Sequence, residues 1–187
     1  SVHGANRLGG NSLLETIVFG KLAAQAIGED PGVGTRRPDE KALLKLKDAV
    51  DAKLRKLASP GREKPALLQA ELSVTMSEKV GIFRTQEELE QALQKLVEIK
   101  KRYRNAGVSS PARHMNYELV GAVELEYMLE VAHTIILGAI LRQESRGSHF
   151  RLDFNTRNDK DWLKHTIARM GPDGQPVISF KEVAITR

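Results

Sequence analysis

A chain of 187 residues is long enough to bury a sizeable core as one domain with appendages. It has no cysteine, which excludes disulfides, thiolate metal sites and a cysteine nucleophile and fits a reducing compartment. Lysine and arginine number 29 against 24 acidic residues, a net charge of +5, but the two signs are interspersed along helical segments as on a solvated face; with 5% aromatic residues and no aromatic-basic interleaving, nucleic acid is not expected as a partner.

The first stretch, Ser1 to Gly20, joins a glycine-rich turn to an amphipathic helix with Leu13, Leu14, Ile17 and Val18 on one face. Gly4, Gly9 and Gly10 permit crowded or left-handed backbone, and either Asn11 or Ser12 is placed to cap the helix. Free amides and the positive end of the helix dipole suit a ligand with negative charge or an electron-rich carbonyl. Arg7 adds a planar charged fork that fits a carboxylate or phosphate. The stretch is no P-loop, because Gly10 stands where the lysine is required, and no G-x-G-x-x-G follows a predicted strand.

The first helix continues from Lys21 to Ile27 and meets Gly28, Pro31, Gly32, Gly34 and Pro38, the turn formers of a linker. Leu43, Leu46, Val50, Leu54 and Leu57 then predict an amphipathic helix that stops at Ser59-Pro60-Gly61. A further helix starts at Pro65, with Leu68, Leu72 and Met76 as its apolar stripe and Met76 as core rather than ligand. Gly81 to Arg84 reads as a connector, and Thr85 with Glu88 has the form of a capping box. The helix that follows carries Leu89, Ala92, Leu96, Ile99 and Tyr103 on one side. It ends in Lys100, Lys101, Arg102 and Arg104, cations favoured there by the helix dipole.

Asn116 caps the longest predicted helix, roughly Tyr117 to Glu144, with Val120, Val123, Met128, Ala132, Ile135 and Ala139 as inward candidates and Gly147 as its left-handed stop. The apolar run from Val131 to Leu141 falls well short of the roughly 20 residues that span a bilayer. His133 within it reads as a satisfied core histidine, since no second metal ligand lies at suitable spacing. Trp162 is a packing anchor, and His165 has no orienting carboxylate beside it in sequence. Thr166 to Met170 and Val177 to Val183, joined by Gly171-Pro-Asp-Gly174, predict a hairpin.

Two stretches carry a resemblance. His3-Gly-x-Asn6-Arg7-Leu8-Gly9-Gly10-Asn11-Ser12-Leu13 resembles the closing segment of the flavin domain in the flavoprotein subunits of succinate dehydrogenase and fumarate reductase. Glu144-Ser145-Arg146-Gly147-x-His149 resembles a recurrent signature in the helical domain of that family and of the related aspartate oxidases. Arg151-x-Asp153-Phe154, Arg157-Asn158-Asp159 and Trp162 to Thr166 continue in the family's manner, with Asn155 where those enzymes commonly have proline. The Leu8 to Asn11 and Asn158 to Thr166 wording is closer to succinate dehydrogenase and fumarate reductase than to aspartate oxidase. The likeness is strongest at Ser1 to Gly20 and Glu144 to Thr166 and weakest from Gly28 to Val80.

The resemblance implies a mainly α fold: an antiparallel helical bundle with an N-terminal remnant of a flavin-binding domain and a small C-terminal β-hairpin. The expected division is 1–33, the closing segment of the FAD-binding domain; 34–158, the helical bundle; and 159–187, the hairpin and tail. It implies succinate and fumarate interconversion by hydride transfer to or from FAD, with Arg7 binding a substrate carboxylate and Ser12, Leu13 and Asn11 contacting the flavin. Implied partners are the upstream flavin domain of the same chain, an iron-sulfur subunit, a dicarboxylate substrate and, as an optional class, membrane-anchor subunits. The implied location is cytoplasmic, with peripheral attachment to the inner face of the membrane through those subunits. No catalytic or metal-binding residue is expected within the 187 residues, which read as an inactive fragment. Arg146 and His149 are expected to organise the contact between helical and flavin domains. The rival readings are a stand-alone helical interaction module with a disordered arm, and an aspartate oxidase flavoprotein.

Overall fold

The structure, a computed structural model, describes residues 9–35, 37–112 and 114–185. The chain divides into two units, Ser1–Lys53 and Leu54–Arg187. The first contains α1 (Asn11–Glu29) and most of α2 (Glu40–Leu57). Between them Asp30 accepts from the Gly32 amide at 2.8 Å and Asp39 accepts from the Lys41 amide at 3.0 Å, two short side-chain turns that end one helix and start the next. No residue of α1 is buried, and Leu43, Leu46 and Val50 of α2 are exposed. Of the stripe predicted for α2, Leu57 is buried and Leu54 half-buried.

The second unit is built on three helices: α3 (Pro65–Lys79), α4 (Gln86–Tyr103) and α5 (Tyr117–Leu141). Their starts are local chemistry. Pro65 holds the first position of α3; Thr85 Oγ1 accepts from the Glu88 amide and also donates to the Glu88 carboxylate; Asn116 Oδ1 accepts from the Leu119 amide. Side-chain pairs fix the directions. Lys79 reaches Gln91 and Glu71 reaches Arg102, so α3 and α4 run antiparallel; Lys100 pairs with Glu130 while Tyr103 donates to the Ala122 carbonyl at 2.8 Å, so α5 runs back along α4. Leu68, Leu72, Leu89, Leu96, Ile99 and Leu125 form the centre of the core. Each fully buried leucine there contributes roughly 2 kcal/mol relative to exposure.

The inward face of α5 differs from the expected one. Leu119, Ala122, Leu125, Leu129, Ala132, Ile136 and Ala139 are buried, whereas Val120 and Ile135 are exposed and Val123 and Met128 are half-buried. The helix is apolar on most of its circumference, so its pattern does not choose between neighbouring stripes; α3 and α4 make the choice. It also ends earlier, at Leu141, and Gly147 is not its cap. Gly147, at φ 59°, instead shapes a tight turn in which Arg146 and His149 exchange backbone hydrogen bonds.

The connector at 81–84 contains a strand that pattern did not reveal. β1 (Phe83–Arg84) pairs in parallel with β2 (Phe150–Arg151), Phe83 opposite Phe150. After a short helix α6 (Asp159–Trp162), β3 (Lys164–Met170) and β4 (Pro176–Glu182) form the expected antiparallel hairpin and pack against α5. At the other end of the bundle the backbones of 59–63 and 105–108 touch. Gly107 donates to the Glu63 carbonyl, Val108 donates to that of Leu57, and a Cβ on Gly107 would lie 2.1 Å from the Ser59 oxygen.

Candidate functional site

The site expected at the start of the chain centres on the first turn of α1. Arg7 lies outside the described residues, as do His3, Gly4 and Leu8. Gly10 occupies the position before the helix with φ 81° and ψ −25°, a left-handed conformation natural to glycine, and no side chain caps the turn. This corrects the expectation that Asn11 or Ser12 is the cap: with Gly10 there, both are already helical. The Leu13 amide donates to the Gly10 carbonyl at 3.1 Å.

The turn carries no acidic residue, so the positive end of its dipole meets no compensating carboxylate from the turn itself. Ser12 and Leu13 are exposed, Leu13 at 72%, and Asn11 is half-buried; a Cβ added at Gly9 or Gly10 would meet nothing within 4 Å. Backbone amides, a hydroxyl and an amide side chain on an open turn make a donor set that fits an electron-rich ring carbonyl such as a flavin's.

The second constellation follows α5. Arg142 donates to Glu144, to the Trp162 carbonyl at 3.0 Å and to the Lys164 carbonyl; its guanidinium lies 5.5 Å from the centre of the Trp162 ring, which itself packs edge-on against Phe180. Glu144, 1% exposed, also takes both arms of Arg146 and the Asn158 amide. Burial pushes its carboxyl upward, but the hydrogen bonds from Arg146, Asn158 and Arg142 outweigh that and hold it below the ordinary glutamate range. Arg146 continues to Asp159, which Arg157 chiefly, and Arg146 next, hold down to about 2.

Arg151 is fully buried. It grips Asp153 with two parallel hydrogen bonds of 2.8 Å, donates to the Gln86 side chain, and donates to the Ala139 and Ile140 carbonyls at the end of α5. Asp153, held to about 2 mainly by Arg151, accepts from the first amide of α4. One ion pair thus serves a helix C-terminus and a helix N-terminus. His149 bridges Arg84 and the Arg142 carbonyl. Arg146 and His149, singled out for an interdomain contact, are therefore both engaged within this unit. All of this is binding and bracing; no nucleophile and base meet in it.

The remaining candidates are structural. His133 is buried with Nδ1 3.3 Å from Lys100, and burial first, then Lys100, lowers its pKa. His165 is exposed on β3. The basic end of α4 is partly consumed by ion pairs: Arg102 holds Glu63, Glu71 and Glu98, and Lys100 holds Glu130. Among the described residues no group of three or more potential ligands is placed to hold a metal, and no helix is long and apolar enough to cross a membrane. An open cavity of about 380 Å³ beside the start of α5 is walled mainly by Leu54, Met115, Tyr117 and Val120, with Glu124 and Asn116, which caps the helix, as its polar members.

Comparison with known proteins adds a lineage. Residues 69–187 match a family model described as fumarate reductase flavoprotein C-term. The whole chain is 40% identical to 31% of a fumarate reductase flavoprotein subunit of Haemophilus influenzae, and 38% identical to 31% of a succinate dehydrogenase flavoprotein subunit of Rickettsia bellii. Among solved structures, 98% of the chain superposes on 32% of a quinol fumarate reductase FrdA chain of E. coli, with a TM-score of 0.90 and 35% identity. The chain thus spans about a third of the length of these relatives. These likenesses do not favour an aspartate oxidase or a free-standing interaction module.

Proposed function

Because the chain belongs to the succinate dehydrogenase and fumarate reductase flavoprotein family, as its carboxy-terminal portion, we propose that it completes the substrate and flavin site of a longer protein that interconverts succinate and fumarate. In that protein residues 1–33 close the FAD-binding domain, 34–158 form the helical domain and 159–187 the hairpin and tail. FAD, when bound, supplies the two-electron acceptor or donor for the hydride exchanged with a substrate carbon.

The chain's own residues orient and polarise. Arg7 clamps one carboxylate of the dicarboxylate, which fixes distance and angle for the transfer and neutralises charge beside the reacting carbons. Asn11, Ser12 and Leu13 line the flavin contact, and the dipole of α1 favours electron density there. The observation that carries this reading is the open first turn of α1, acid-free and capped by a left-handed Gly10, on which the Asn6-Arg7-Leu8-Gly9-Gly10-Asn11-Ser12 wording converges. Proton transfer and the remaining substrate contacts belong to the upstream flavin domain. Electrons pass to an iron-sulfur subunit, and anchor subunits hold the assembly at the inner face of the membrane; the E. coli neighbour's name, a quinol fumarate reductase, supports that assignment.

The test uses the complete natural protein. Arg7→Ala should lower succinate-dependent dye reduction by about two to three orders of magnitude while the flavin absorbance stays stoichiometric. Unchanged turnover would remove the clamp, and joint loss of flavin and turnover would make Arg7 a structural residue. The 187-residue chain alone should bind no stoichiometric flavin; tight binding by it would contradict the need for the upstream domain.

A further inference from the structure

His149 is a buried histidine whose two ring nitrogens are both committed, and whose surroundings admit only one charge state. The residue is 8% exposed. Nδ1 lies 2.8 Å from an Nη of Arg84, and Nε2 lies 3.0 Å from the Arg142 carbonyl oxygen. Arginine donates and cannot accept, so Nδ1 is the acceptor and carries no proton; a carbonyl accepts and cannot donate, so Nε2 carries the hydrogen. The imidazole in this arrangement is neutral.

The bridge joins two helix ends. Arg84, on β1, also donates through Nε to the Val80 and Gly81 carbonyls just beyond α3, and Arg142 is the residue that ends α5. A proton added at Nδ1 would meet the Arg84 guanidinium donor head-on. The other charges facing the ring are Arg151 on β2 and Arg142 after α5, both cationic. The nearby acids are already engaged: Asp153 by Arg151, and Glu144 by Arg142 and Arg146. We propose that His149 is an acid-released latch: as the neutral ring it holds the 142–151 segment on β1, and on protonation it lets the β1–β2 pair open.

The titration agrees in direction. Burial lowers the ring's pKa from its ordinary 6.5; the Arg142 carbonyl pulls it up, the charges of Arg84, Arg151 and Arg142 push it down, and the net shift is downward. A folded-state value below the unfolded one means the latch's contribution is fully present above pH 6.5 and is lost as pH falls from 6.5 through the lowered value. Asp153 and Asp159, at about 2, stay ionised throughout that window. What opens is short: Phe150 donates to the Ile82 carbonyl and Leu152 to that of Arg84.

The experiment takes the full 187-residue chain from about pH 8 to about pH 5, across the range in which histidine titrates. Imidazole nitrogen NMR should show the Nε2–H tautomer at the upper end. Hydrogen exchange of the Phe150 and Leu152 amides, corrected for intrinsic pH dependence, should lose protection by up to about tenfold per pH unit below 6.5, where only the opened ring takes a proton, and level off below the lowered value, while the Ile99 amide in α4 keeps its own. His149→Gln should abolish the pH dependence whatever its level of protection. Should that variant not fold, Arg84→Gln should move the His149 titration up towards 6.5. An Nδ1–H tautomer, flat protection between pH 6.5 and the lowered value of His149, or the same acid loss in His149→Gln would overturn the proposal. Loss of the pH response in His133→Gln would overturn it too, by assigning the effect to the other buried histidine.

Discussion

At the scale of single residues the second unit depends most on Arg151, a fully buried cation with Asp153 as its partner. Arg151→Leu takes the donor from the Ala139 and Ile140 carbonyls, from Gln86 and from Asp153, whose side chain is 30% exposed and can be solvated, so it should cost about 2 kcal/mol in urea unfolding, with the end of α5 and the start of α4 losing their shared bond. A loss well under 1 kcal/mol would mean that solvent rescues Asp153. The same pair sets an acid limit. Asp153 is depressed from 3.8 to about 2, so its contribution is present above 3.8 and disappears as pH falls from there through about 2. None of this could be read from spacing alone. Arg151 and Asp153 stand two apart, which in an extended segment places them on one side, but Gln86 and the α5 carbonyls that complete the set are distant in sequence. The start of α1 was legible because its glycines and the apolar run that follows are contiguous; only the identity of the cap was misread, since Gly10 and the polar residues after it compete for adjacent positions.

At the scale of elements, glycine separates tolerance from intolerance. Gly107→Ala would press a methyl into the Ser59 carbonyl, with backbone on both sides and no flexible side chain to yield, and should cost about 3 kcal/mol or more. Gly121, inside α5, has nothing within 4 Å of an added Cβ, and Gly121→Ala should stabilise by up to about 1 kcal/mol through helix propensity alone. Thermal unfolding of the two variants side by side checks both signs. The elements themselves were legible wherever their signal is local: Pro65, Thr85 and Asn116 open three helices, and the Gly171 to Gly174 turn closes the hairpin as expected. The face of α5 and the β1–β2 pair were not. The first is chosen by the helices packed against an almost uniformly apolar surface, and the second joins two-residue strands too short to show a period.

At the scale of the whole molecule the two units differ in what they bury. The first has no buried residue in α1 and leaves Leu13, Leu14, Ile17 and Leu22 open, whereas the second contains the cores between α3, α4 and α5. Local opening should therefore be easiest in the first unit, and brief proteolysis should cut between Gly28 and Pro38 and leave the bundle intact, as mass spectrometry of the products would show. Early cleavage between α3 and α4 would contradict it. The glycine contact between 59–63 and 105–108 bears on the order of events as well. It closes a loop that contains α3, β1 and α4 entire, and the chain entropy of closing it is recovered only after those helices have docked. A seal of this kind should set late, so loosening it, as Gly107→Ala does, should speed unfolding in stopped-flow kinetics far more than it slows folding.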